Sequence, residues 1–268
     1  MVQGITGTVP GLASSLHAAQ SGRETTAARI SSGSALNSAA DNPAGLAIAN
    51  RLLSQSNGFQ QAIGNAVDGI SRLQGEGAVL SSVADALQRI RELSLQSANG
   101  ILTDSDRGAL QSEARQLQQG ISGQFENAEF NGRKLFADTG NAAVQLADNG
   151  AIELGGRDFS AAGVSLNNLD ISTVQGARTA LGSVDPLLQD IDSRQGELGA
   201  ISARIDSAVN NLYASAANSE QARSQLQDSD LASEASENIS AGIAQQVGLA
   251  LQAQANTDSR RVLQLLGA

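Results

Sequence analysis

The sequence predicts a mainly α fold: a long antiparallel helical bundle or coiled coil with paired N- and C-terminal helices and a small β-hairpin region. Three observations carry the prediction. Apolar residues recur at helical spacing in 12–30 and 239–266, near the two extremities of the 268-residue chain. The segments just inside them, 46–95 and 187–226, repeat that spacing, partly in steps of seven. Strand-like alternation is confined to one stretch, roughly 136–176.

Each element has its own signals. Pro10 suits a first helical turn, and Leu12, Leu16, Ala19, Thr26 and Ile30 then follow on one stripe until Ser31-Ser32-Gly33-Ser34 breaks it. Arg23 shares that stripe, so its stem is expected along the seam with the charge outward. Asp41-Asn42-Pro43 is a cap-and-proline start for a long helix from Ala44 to Ser97. Its apolar face is read as Ile63, Val67, Ile70, Val79, Val83, Ile90 and Leu93. Five glycines (58, 64, 69, 75 and 77) imply close packing or a break near 75–77. Thr103-Asp104-Ser105-Asp106 opens a third helix with a capping hydroxyl and first-turn acids, and Asn131-Gly132 is a turn. Val144-Gln145-Leu146 and Ile152-Glu153-Leu154 alternate around Asp148-Asn149-Gly150, a hairpin that must lean on the helices to be stable. Asp185-Pro186 reads as another helix start. Beyond it Ile191, Leu198, Ile205 and Leu212 are spaced by seven, with Ile201 and Ala208 three residues after the second and third, a coiled-coil seam reaching Leu226. Ile239, Ile243, Val247, Leu251, Val262 and Leu266 mark a last amphipathic segment.

Composition narrows the function. Aromatics are 2 %, with five Phe, one Tyr and no Trp, so the core is Leu, Ile, Val and Ala, which suits closely approaching helices. A net charge of −10 without a basic stripe argues against nucleic acid. No stretch has about 18 consecutive apolar residues, so no membrane insertion is expected. The first 16 residues lack the basic region and apolar core of a signal peptide, which suggests a cytosolic protein or export without a cleaved signal. With no cysteine, thiol catalysis and cysteine metal sites are out.

The chemistry-bearing patterns are weak. His17 is the single histidine and cannot make a zinc site. Asp228 and Asp230 lack the rest of a calcium loop and read as helix-start residues. Gly75-Glu76-Gly77 follows no strand, and Gly120-Ile121-Ser122-Gly123 lacks nucleophile-elbow spacing. No catalytic residue, metal or cofactor is expected, and the reading is not an enzyme.

Several long motifs in order resemble bacterial flagellin over nearly the whole chain. They are Arg29 to Gly33 with Asn37-Ser38-Ala39, Asp41-Asn42-Pro43-Ala44-Gly45 through Asn50-Arg51, Leu87 to Ser94, Phe130-Asn131-Gly132, Leu198-Gly199-Ala200, Asp228 to Glu234, Gln252 to Asn256, and Val262 to Leu266. The resemblance implies that 1–43 and 227–268 form an inner, filament-core domain, that 44–226 forms a rod with the hairpin near 142–156, and that variable outer domains are lacking. It implies a structural subunit of the swimming filament, a helical homopolymer, with a polymerisation seam of Leu12, Leu16, Ile30, Ile239, Ile243, Val247, Leu251, Val262 and Leu266. It also implies type III export to an extracellular flagellum, a flagellar export chaperone, and filament cap and junction proteins. Toll-like receptor 5 is a further implied partner, through Arg89, Leu93 and Glu113. The alternatives are a hook-filament junction protein of the same superfamily and a secreted helical adhesin-like protein.

Overall fold

The computed structural model describes residues 10–136, 142–147 and 150–266. The chain divides into two compact units, Met1–Ser56 with Ala217–Ala268, and Asn57–Ala216.

In the first unit, α1 (Pro10–Ser32) lies antiparallel against α6 (Leu231–Leu266). Small residues let them approach: a Cβ added to Gly248 would sit 2.7 Å from Leu16 Cδ2. Polar bonds continue the pairing. Arg23 donates to Gln245 (2.7 Å), Asn238 donates to the Thr26 hydroxyl (2.9 Å), and Arg29 reaches Glu234 (3.4 Å). Arg23 is exposed, so its charge is outward as its place in the stripe requires. α1 ends where Gly33 turns left-handed (φ 67°), and α6 starts where the Asp230 carboxylate accepts from the amides of Ala232 and Ser233. Those two breaks are bonded together: the Ala35 amide donates to Gln227 O (2.6 Å) and the Ser229 amide to Gly33 O (3.1 Å).

α2 (Pro43–Ser97) opens in this unit, with Asn42 Oδ1 accepting from the Gly45 amide at 2.9 Å. It runs unbroken through 75–77, and α5 (Val174–Gln227) returns. In the second unit Leu73, Leu80, Leu87, Val83 and Ile90 of α2 share a core with Ile191, Leu198, Ile205 and Leu212 of α5. The α5 seam is the one its heptads describe as far as Leu212, whereas Leu226 is 39 % exposed. The α2 face differs: Val67 is exposed, Ile63, Ile70 and Val79 are only partly buried, and the buried line is the Leu73-Leu80-Leu87 heptad. Of the glycines at 58, 64, 69, 75 and 77, only Gly69 meets a neighbour; an added Cβ would lie 2.5 Å from Val144 Cγ2.

Pro186 does not start a helix. It lies inside α5, which Thr173 caps by accepting the Gly176 amide at 3.0 Å. An interior proline costs about 3 kcal/mol. The first turns are held regardless, because Ala177, Ala180 and Val184 are fully buried, the first two with Leu93, Ala114 and Ile171.

α3 (Asp104–Asn127) opens with a complete capping box between Thr103 and Asp106. Arg107 then caps the end of α2, donating to the carbonyls of Ser97, Asn99 and Leu102. Strands β1 (Glu129–Phe130) and β2 (Arg133–Lys134) meet at a turn in which Asn131 and Gly132 both have positive φ. The hairpin of β3 (Ala143–Ala147) and β4 (Gly150–Glu153) pairs Val144 with Ile152, while Asp148 and Asn149 of its expected turn lie outside the described residues. It does lean on helices: Val144, Leu146, Ile152 and Leu154 are buried, and Asn65 of α2 donates to Gln145 O at 3.0 Å. A short α4 (Ser160–Asn167) follows, and Phe125, Phe136 and Phe159 cluster before it with centroids 5.3–5.9 Å apart.

Candidate assembly surface

Charge is the first property of the terminal pair. Residues 10–22 and 238–257 contain no Asp, Glu, Lys or Arg, in a chain whose net charge is −10. Along that neutral part of α6, Ile239, Ile243, Val247 and Leu251 follow at steps of four and are 65 %, 57 %, 52 % and 55 % exposed. Leu249 and Leu231 are exposed too. An isolated exposed leucine means little, but a contiguous apolar stripe on one helix is surface that water disfavours.

The nine seam residues read from the sequence divide into three groups. Ile239, Ile243, Val247, Leu251 and Ile30 present open apolar surface. Leu16 is half-buried against Gly248 and serves the α1–α6 contact. The side chains of Leu12, Val262 and Leu266 lie outside the described residues. His17 borders a shallow depression with Gln20, Gln245 and Gln252, a neutral amide lining.

The three residues implied as a receptor contact also divide. Arg89 of α2 and Glu113 of α3 meet at 2.8 Å on the surface, and Arg89 reaches Glu92 at 3.0 Å. Hydrogen bonds to Glu113 and then Glu92 hold the Arg89 guanidinium above its ordinary value. Leu93 does not belong to that surface: it is 1 % exposed and packs with Ala114, Ile171, Ala177 and Ala180, because the α2 stripe turns it inward. It supports the helix that displays Arg89.

Among the described residues nothing catalytic assembles. Gly75-Glu76-Gly77 and Gly120 to Gly123 sit mid-helix, so neither forms a phosphate loop or an elbow. Among the described residues no group of three His, Cys, Asp or Glu could hold a metal, and no helix is long and apolar enough to cross a membrane. Sequence reasoning missed a buried ion pair, Glu76–Arg194 at 2.7 Å, with side chains 1 % and 3 % exposed. Its signal was present: Arg194 follows Ile191 by three, the spacing at which Ile201 and Ala208 follow Leu198 and Ile205.

The helical segments match known families in the same order. The model of the bacterial flagellin N-terminal helical region matches residues 11–141, and that of the flagellin C-terminal helical region matches 181–266. A flagellin from Halalkalibacterium halodurans is 36 % identical over 244 residues, covering 89 % of each chain. The chain belongs to the bacterial flagellin family. Among solved structures, Bacillus cereus flagellin aligns with a TM-score of 0.51 at 26 % identity, covering 56 % of this chain and 88 % of that one. A putative flagellar hook-associated protein from Vibrio parahaemolyticus aligns at 0.61, but at 16 % identity over 70 % of this chain and all of that one, which shows a shared fold alone. Flagellins are structural proteins, so the chain is a filament subunit for motility and not an enzyme. Its partners in that extracellular filament are further copies of itself.

Proposed function

We propose that copies stack through the neutral apolar stripe of the terminal pair, and that this contact builds the filament. The observation that carries the reading is the exposure of Ile239, Ile243, Val247 and Leu251 on a helix stretch without charge. Two molecules of −10 repel at long range, so the surface on which they meet must be free of like charge and rich in apolar area. Each side chain buried between copies contributes about 1.5–3 kcal/mol. A contact of this kind joins different patches of neighbouring copies and need not close, which yields an open helical polymer. Ile30 belongs to the same seam, Leu16 supports it from its seat at Gly248, and in this reading Leu12, Val262 and Leu266 are further members. In this reading 1–43 and 227–268 form the filament core and 44–226 the surrounding rod.

The test is a charge placed on the stripe. Ile243→Asp with Val247→Asp is expected to leave the monomer's helical circular dichroism intact and to abolish filaments in electron micrographs. Normal filaments from that variant sink the proposal. Deleting residues 240–268 is the coarser version, with the same expected loss.

The same stripe needs cover before assembly, which supports a cytosolic export chaperone on α6; type III export and cap and junction proteins at the filament ends follow from membership of the flagellin family. The exposed Arg89–Glu113 pair supports recognition of the monomer by Toll-like receptor 5. Reporter cells exposed to folded monomer are expected to respond, and Arg89→Ala with Glu113→Ala to reduce the response; silence toward the unmodified monomer removes this second reading.

A further inference from the structure

We propose that Glu76 and Arg194 set the register of α2 against α5 and attach the β3–β4 hairpin to that register. The apolar seams alone leave it ambiguous. On α2, Ala66, Leu73, Leu80 and Leu87 repeat every seven residues; on α5, Ile191, Leu198, Ile205 and Leu212 do the same. Sliding one antiparallel helix by a heptad therefore returns apolar residues to apolar partners.

The two charges break that equivalence. Both occupy the position three residues after a seam residue, Leu73 and Ile191, and they meet at 2.7 Å. A one-heptad slip in either direction sets Glu76 opposite Ile201 or Leu187, and Arg194 opposite Val83 or Gly69. Glu76 then lies buried without a charged partner, and Arg194 keeps only Glu197 of its own helix, a large penalty. The observed register is the one that pairs them.

Arg194 also reads the hairpin. Its guanidinium donates to Leu154 O (3.3 Å) and Gly155 O (3.0 Å) while holding Glu76 and, at 3.2 Å, Glu197. Arg157 extends the network to Glu197 (3.7 Å) and Asp190 (3.4 Å), tying the chain after β4 to α5. Gly155 has φ 61°, and an added Cβ would stand 3.4 Å from Arg194 Nη1, so the backbone is shaped to the guanidinium. Glu76 Oε2 has no hydrogen-bond partner among the described residues, so the pair is a costly way to stabilise a core. Stability alone favours apolar residues at both positions. Selecting one register is what a charged pair adds.

The experiment uses the full chain, which has no native cysteine, with spin labels on Asp85→Cys and Asp206→Cys, exposed sites about 30 Å apart along the helix axis, so that a slip in either direction changes the distance. The parent is expected to give one inter-label distance. Glu76→Met with Arg194→Met is expected to fold, to melt at the same or a higher temperature, and to show a second distance population. A slipped heptad moves one label by about 10 Å along the helix. Amides of β4 are expected to exchange at least about tenfold faster in that variant. Arg194→Lys, which keeps the charge but not the fork, is expected to keep one distance and still release the β4 amides. A single distance in the Met pair overturns register selection, and so does outright unfolding, which marks the pair as ordinary stabilisation. Unchanged β4 exchange in both variants overturns the attachment of the hairpin.

Discussion

Gly69 is where the docking of β3 on α2 is most sensitive to a single atom. An alanine Cβ there would stand 2.5 Å from Val144 Cγ2, and valine is stiff about χ1, so the strand must shift. Overpacking costs about 1–3 kcal/mol, against about 1 kcal/mol gained in helix propensity. Gly69→Ala is expected to lower the urea midpoint of unfolding, and Val144→Ala in the same chain to restore part of it; additive losses contradict the contact. The capping box of α3 gives a residue-scale pH prediction. The Thr103 hydroxyl (2.7 Å) and then the Thr103 amide (3.0 Å) hold the Asp106 carboxyl below its ordinary value. A depressed carboxylate stabilises the fold above the unfolded value, about 3.9, and that contribution disappears as pH falls through the folded value. Protection of the first α3 amides is expected to fall with acid in that window, and Thr103→Ala to flatten the dependence at a cost of about 0.5–2 kcal/mol.

At the scale of elements, α5 shows what the sequence discloses and what it hides. Its seam was legible because Ile191, Leu198, Ile205 and Leu212 keep an unbroken interval of seven. Its start was not, because Asp185-Pro186 carries the local marks of a helix start, while the burial of Ala177, Ala180 and Val184 that overrides them depends on residues far along the chain. Tertiary packing outweighed a local preference. The same override predicts that Pro186 weakens α5: Pro186→Ala, which restores an amide donor toward Gly182, is expected to raise stability by about 1–3 kcal/mol, less whatever proline contributes by restraining the unfolded chain. A lower melting temperature overturns this. On α2, Val67, Ile70 and Val79 compete with Leu73 and Leu80 as candidates for the buried face, and only the partner helix decides. The Glu76–Arg194 pair joins residues 118 apart, so a local window marks Arg194 as a seam position but cannot name its partner.

At the scale of the molecule, charge governs association. The −10 charge sets a repulsion that screening removes, whereas the proposed contact through the neutral stripe is insensitive to it. Seeded polymerisation, followed by light scattering, is expected to speed up as salt rises from about 10 mM to 150 mM, where the screening length shrinks from about 30 Å to 8 Å. Slower growth with salt means that opposite charges, and not the stripe, bring copies together. The apolar residues of the terminal helices were legible in the sequence, but their division of labour was not. Leu16 and Ile243 look alike as letters; one fills the notch at Gly248 and the other stands open.

The pairing of α1 with α6 has a consequence for biogenesis. Arg23 and Gln245 are 222 residues apart, so α1 leaves the ribosome without a mate until α6 has also been made. Closing so long a loop is slow, and until it closes α1 is an orphan strip of leucine and alanine with little helical stability of its own. Ribosome-bound intermediates and products that stop short of α6 should therefore leave α1 open to proteases, and protection should arrive abruptly once α6 is complete.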